Sequence, residues 1–247
     1  MKLYTIGKTK SSRLKNGWRK ADLLTEWLIN AVVWLPAILI GLTFHEYAHG
    51  RVAYHLGDDT AYLQGRLTLN PLPHIDWVGF LMLLFFHFGW AKPVMVNPLN
   101  FKNTGIKTGM MLVSLAGPVM NLVLAFSGMV ILKIWGLPLD INSFFYIIGN
   151  SSAAFTEVNM VTGIALILYT LVFINLILAV FNLIPLPPLD GSKILAGLLP
   201  DSGAQVIYSL EAYGPIILLL LIITGAFSRI LIPLVTLMYS LFSGILL

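Results

Sequence analysis

Apolar residues along this chain come in long, nearly unbroken stretches. Those at about 23–44, 110–135, 161–183, 213–227 and 230–246 each approach the roughly 20 residues that a helix needs to cross a bilayer. The first flows into a polar cluster, HEYAH, and its helix should continue to about His55, with Pro36 as a kink and Gly57 as a stop. A further run, VGFLMLLFFHFGW at 78–90, would cover only roughly 20 Å as a helix, against a hydrocarbon core of about 30 Å. It predicts a re-entrant hairpin or a short tilted span. Two segments alternate instead: GRLTLNP (65–71) sets Leu67 and Leu69 among polar neighbours, and KPVMVNP (92–98) places Val94 and Val96 on one side. Period-two alternation closed by Asn-Pro predicts short β-strands. The expected architecture is an all-α polytopic membrane protein. It has about five to six transmembrane helices and a small membrane-associated β-hairpin or re-entrant element.

Composition agrees with lipid as the main solvent. Of 247 residues, 57% are hydrophobic and 11% charged, and the mean hydropathy is +0.85. A soluble domain carries about a quarter of its residues as charges. The net charge of +4 is unevenly placed, with seven of the fifteen Lys and Arg before Asp22. Residues 1–22 therefore predict a basic segment at the membrane surface, and 23–247 a single transmembrane domain. No soluble unit follows that could make a nucleic-acid site, so no nucleic-acid partner is expected. The chain contains no cysteine, which excludes disulfides and thiolate metal sites. The leader is long and the apolar run after it exceeds the core of a cleavable signal.

Candidate chemistry concentrates in HEYAH. On a helix, His45 and His49 stand one turn apart on a shared face, so both imidazoles can reach one zinc ion. Glu46 is the next residue round the helix and is placed for a metal-activated water rather than for the ligand set. The alternative reading is a polar cluster that helps helices pack, but ionisable groups at membrane depth are costly and mark function by default. A catalytic zinc takes three protein ligands and keeps a position for water, so a third ligand must be found. Asp190, in VFNLIPLPPLDGSKIL just past the third apolar run, is a candidate. It is read equally well as the cap of a helix starting near Ser192.

HEYAH followed far downstream by FNLIPLPPLDG resembles the site-2 protease family of intramembrane zinc metalloproteases. GRLTLNPLPHIDWVG, GWAKPVMVNP and SLAGPVMN resemble its compact branch, which lacks PDZ and CBS domains. The likeness covers roughly residues 35 to 200. It implies that His45, His49 and Asp190 ligate one zinc ion per chain, that Glu46 is the catalytic base, and that Asn182 takes part in substrate binding. It also implies a transmembrane protein or peptide as substrate, with any regulatory membrane partner supplied from outside the chain. Where the family often has Asn-Pro-Asp-Gly, this chain has Pro188-Leu189-Asp190-Gly191.

Chain tracing adds a condition. The histidines lie near the C-terminal end of the first span, so Asp190 must return to that same face. It does so only if 78–90 turns back rather than crosses. The family implies a cell-membrane location with the site toward the cytoplasm. Charge does not decide this, because Arg51, Arg66, Lys92, Lys102, Lys107 and Lys193 on the metal face nearly balance the basic leader. Two other functions would use the same ligands, a metal transporter and a catalytically silent scaffold. A transporter needs polar groups along several spans, whereas these are concentrated at one level. A silent scaffold usually loses a ligand or the base. Among the other polar residues, His55 falls about 80° off the ligand face. His74 predicts a turn-stabilising hydrogen bond and His87 a cavity-lining position. Asn121 and Asn175 predict helix–helix hydrogen bonds, and Gly117-Pro118 a close helix contact.

Overall fold

A computed structural model describes residues 6–86, 89–149 and 160–247. The side chains of 6–26 and a few others are not described, and His87 lies outside the described residues. The elements are α1 (Ile6–His55), α2 (Thr60–Leu63), α3 (Trp77–Phe86), α4 (Ile106–Ile134), α5 (Ile141–Gly149), α6 (Met160–Leu183), α7 (Asp190–Leu198), α8 (Asp201–Ser209), α9 (Gly214–Ile223) and α10 (Ala226–Leu246). Short 3₁₀ turns occupy Leu72–His74 and Pro98–Asn100.

Among the described residues, four helical stretches are long and apolar enough to cross a membrane: Ala31–His55 of α1, Ile106–Ile134, Gly163–Leu183 and Ala226–Leu246. The expected fourth span, 213–227, is shorter than the apolar run suggests. It opens at Gly214-Pro215, and α9 stops before Gly225, whose φ of 70° is left-handed. Only with α8, from which it is bent by 66°, does it make a fifth span.

The expected β-hairpin is absent among the described residues. Segment 65–71 forms turns and bends, and 92–97 runs without a partner strand. The one β-bridge, Ile75 with Ala91, lies outside both. Pro71, Pro73, Pro93 and Pro98 remove backbone donors that a ladder needs. Four backbone groups of 92–97, Lys92 N–H and O, Val94 N–H and Asn97 N–H, are instead met singly, by side chains and by the His74 carbonyl.

That bridge settles the course of 78–90. Lys92 N–H donates to His74 O, and a Cβ on Gly79 would come within 2.3 Å of Trp90 O. Ile75 and Ala91 thus lie side by side, and the ten-residue α3 between them reaches only about 15 Å. The chain turns back here, as a shared face for His49 and Asp190 demands.

The structural core is a bundle of α1, α4 and α6, with α10 and α5 against it. Its apolar part joins Ala125, Met129 and Leu132 of α4 to Tyr169, Val172 and Leu176 of α6, with Phe144, Val235 and Tyr239. Small residues let the backbones approach, as Gly128 faces Val172 and Gly41 faces Leu178 and Asn175.

Candidate metal centre

Three helices deliver the site. α1 carries His45 and His49 on one face, and both are buried. α6 ends at Leu183, and a tight loop through cis Pro187-Pro188 leads to Asp190, the first residue of α7. Only glycine fits after it. A Cβ on Gly191 would come within 2.4 Å of the carbonyl oxygens of Leu183 and Ile184, because α7 starts folded back on the end of α6.

The Asp190 carboxylate does not cap its helix. Its Oδ2 lies 3.1 Å from His45 Nε2 and 3.2 Å from His49 Nε2, and the two Nε2 atoms are 2.9 Å apart. The choice left open by the sequence therefore falls against the cap. Ligand atoms at about 2.0–2.1 Å from a tetrahedral zinc are separated by about 3.3 Å, so this triangle has the right size.

The outer nitrogens identify the tautomers. His45 Nδ1 is 2.6 Å from Asn121 Oδ1, and His49 Nδ1 is 2.7 Å from the carbonyl of Val113. An acceptor at each Nδ1 puts the proton there and leaves each Nε2 as a lone pair. Two lone pairs and a carboxylate oxygen then converge within about 3 Å, a repulsion that a cation bound between them would relieve. The donor set fits zinc.

Glu46 is half-buried. Its Oε2 accepts a hydrogen bond from Val94 N–H at 2.8 Å. Segment 92–97 is fastened around that contact. The buried Arg66 donates to Lys92 O, and Asp58 accepts from Asn97 N–H at 2.7 Å and from the Asn100 amide at 2.9 Å. Burial alone would raise the Asp58 carboxyl, but its bonds from Thr60, Asn100 and Asn97 outweigh this and hold it below the usual carboxylate range. His74 Nε2–H donates to Thr68 O (2.9 Å), which is the turn-stabilising bond expected of it. His55 is exposed.

Asn182 is not drawn into the ligand network. Its amide donates to Leu178 O at 2.9 Å within its own helix. Three residues of α4 that the sequence does not assign to the site also reach it. A Cβ on Gly117 would fall 2.5–2.6 Å from His45 Cε1, His45 Nε2 and His49 Nε2, so the close helix contact expected at Gly117 is made with the imidazoles themselves. Val113, Gly117 and Asn121, spaced by four, form one face of α4 against both histidines. The available signal was a buried asparagine at membrane depth, four residues after a glycine.

Comparison with known proteins assigns the chain to a family. The family model described as Peptidase family M50 matches residues 33–224. The protein named "Putative zinc metalloprotease YwhC" of Bacillus subtilis is 40% identical over 199 residues, covering 79% of this chain and 82% of its own. Rip2 of Mycolicibacterium smegmatis, named likewise, is 28% identical over 84% of this chain and 72% of its own. MJ0611 of Methanocaldococcus jannaschii, again with that description, is 30% identical over 66% of this chain and 69% of its own. No solved structure matches significantly. The chain belongs to peptidase family M50, the site-2 proteases, and is a multi-pass intramembrane zinc metalloprotease.

Proposed function

We propose that this protease cuts peptide bonds within or beside transmembrane segments of other membrane proteins, using His45, His49 and Asp190 to hold one zinc ion and Glu46 as the general base. The observation that carries the reading is the triangle of lone pairs at 2.9–3.2 Å, which two proton-bearing Nδ1 atoms turn toward one point. Zinc bound there would lower the pKa of a bound water toward about 7 and polarise the scissile carbonyl. Glu46 takes the proton from the attacking water and returns it to the leaving nitrogen. The Val94 N–H orients that carboxylate.

A transmembrane helix hides its carbonyls in hydrogen bonds, so the scissile stretch must unwind first. Segment 92–97, fastened at Arg66 and Asp58, offers backbone alongside Glu46 for an unwound chain to pair with. Asn182 serves the same stretch, exchanging its Leu178 contact for one to substrate. An apolar cavity of about 700 Å³, lined by Trp34, Ile38, Leu42, Phe80, Ile177 and Leu231, runs beside α1 to Thr43, two residues before His45. Its apolar lining suits a membrane-borne substrate. We place the enzyme in the cell membrane with this end toward the cytoplasm, and read 23–247 as its single transmembrane domain.

The test is zinc analysis of purified protein paired with cleavage of single-span substrates. Glu46→Gln is expected to retain zinc and fold while cleavage falls by at least about a hundredfold, the scale of lost general-base catalysis. Near-normal cleavage by that variant would remove Glu46 from the mechanism. Asp190→Asn is expected to lose zinc, and unchanged zinc content would dismiss the three-ligand site.

A further inference from the structure

Two buried asparagines stand behind His45, one in α4 and one in α6. Asn121 Nδ2 donates to Gly41 O at 3.0 Å and to Asn175 Oδ1 at 2.8 Å. Asn175 Nδ2 donates to Leu171 O at 2.8 Å. Each bond dictates the next. The Leu171 carbonyl can only accept, so it fixes which end of the Asn175 amide faces it. Asn175 then presents oxygen to Asn121. With both amide hydrogens of Asn121 directed at acceptors, its own oxygen must face His45 Nδ1, 2.6 Å away. Turning the Asn121 amide over would set its oxygen against Gly41 O and Asn175 Oδ1 together, and at this depth no water relieves such a contact. A neutral imidazole has two tautomers, and only the one with Nδ1–H directs a lone pair from Nε2 toward His49 and Asp190.

We propose that Asn121 is a positioning residue that locks His45 in its metal-binding tautomer, and that Asn175 sets the orientation of Asn121. Rather than merely joining helices, the pair relays direction from a backbone carbonyl of α6 to a metal ligand of α1. This rests on the reading of His45 as a zinc ligand.

The two roles separate in zinc affinity, measured by chelator competition on the full-length protein in detergent, alongside the zinc-induced rise in unfolding temperature. Asn121→Leu is similar in volume but has no acceptor, and it should bind zinc about 10–100-fold more weakly. Asn121→Asp keeps an oxygen facing His45 but loses both donors to α1 and α6, and it should bind zinc within a few-fold of wild type. Asn175→Leu leaves Asn121 oriented by Gly41 O alone, so its amide turns over more readily, and it should fall between them. Helix gluing alone predicts the opposite ordering. Asp190→Asn, measured in parallel, should lose zinc. If it binds zinc normally, the ligand reading itself fails and the proposal with it. If it loses zinc while Asn121→Leu and Asn175→Leu keep wild-type affinity, only the positioning role is overturned. Should Asn121→Leu fail to fold, the contrast of Asn121→Asp with Asn175→Leu decides: equal, wild-type affinity in both overturns the proposal.

Discussion

The two ends of the α1–α4–α6 bundle share a scaffold and are held together in different ways. Toward one end, Met129, Leu132, Phe144, Val172 and Tyr239 pack by shape and exclusion of lipid, with few directional constraints. Toward the other, one turn of α4 beyond Ala125, Asn121 begins a region in which buried polar atoms are paired and oriented. The apolar end can absorb an error of a few tenths of an ångström by a rotamer shift. The polar end cannot, because a displaced atom loses its partner and misplaces a ligand. The end that carries the proposed metal centre is thus the less tolerant part of the same bundle.

Two glycines of α4 expose the contrast most sharply. Gly117→Ala would drive a Cβ to 2.5–2.6 Å from both imidazoles. Zinc loading should be lost and cleavage should fall by more than about a hundredfold, the usual cost of misplacing reacting groups by about an ångström. Gly128→Ala meets only Val172 Cγ2, at 2.8 Å. Overpacking of about 1–3 kcal/mol is partly offset by about 1 kcal/mol of helix propensity, so unfolding temperature drops slightly and zinc content is unchanged. Equal loss of zinc in both variants would erase the distinction between the two ends.

Much of this was legible in the chain. Spans announce themselves by apolar length, and HEYAH by a spacing that only a helix makes useful. Asp190 was harder, since it lies 145 residues from His45 and is equally plausible as a cap. Family likeness tipped that choice, and the glycine after it explains the turn. The strands were misread because alternation in 92–98 reports one side against the end of α1 and the other exposed, which a strand on a sheet would also show. Asn121 could be seen as buried polarity but not as a partner of His45, because nothing in the sequence aligns the register of α4 with α1.

Asp58 tests the fastening of 92–97 rather than the metal. It accepts four hydrogen bonds, from Thr60 N–H and Oγ1–H, Asn97 N–H and the Asn100 amide. Asp58→Asn should lower stability by about 1–3 kcal/mol at neutral pH. The folded-state pKa is depressed, so this contribution is complete above the unfolded value of about 3.9 and disappears as pH falls through the lower folded value. Thermal unfolding of the two proteins should differ most above about pH 5 and converge in acid below about pH 4. A gap that widens in acid would contradict the assignment.

The smallest effects belong to the apolar end and probe whether direction matters there at all. Tyr169 donates to Pro138 O at 2.7 Å, and Tyr169→Phe should cost about 1 kcal/mol. Tyr239 is fully buried, and its hydroxyl has no hydrogen-bond partner among the described residues. Removing an unsatisfied buried hydroxyl restores nothing that was bonded and relieves a desolvated dipole. Tyr239→Phe should therefore leave unfolding temperature unchanged or raise it, by no more than about 1–2 kcal/mol in stability, with zinc content and cleavage at wild-type level. The phenyl rings of Tyr239 and Phe144, with centroids 4.1 Å apart, keep their contact in the variant. A marked loss of stability in Tyr239→Phe would mean that this hydroxyl is bonded after all, and that the apolar end is held by directed bonds as the metal end is.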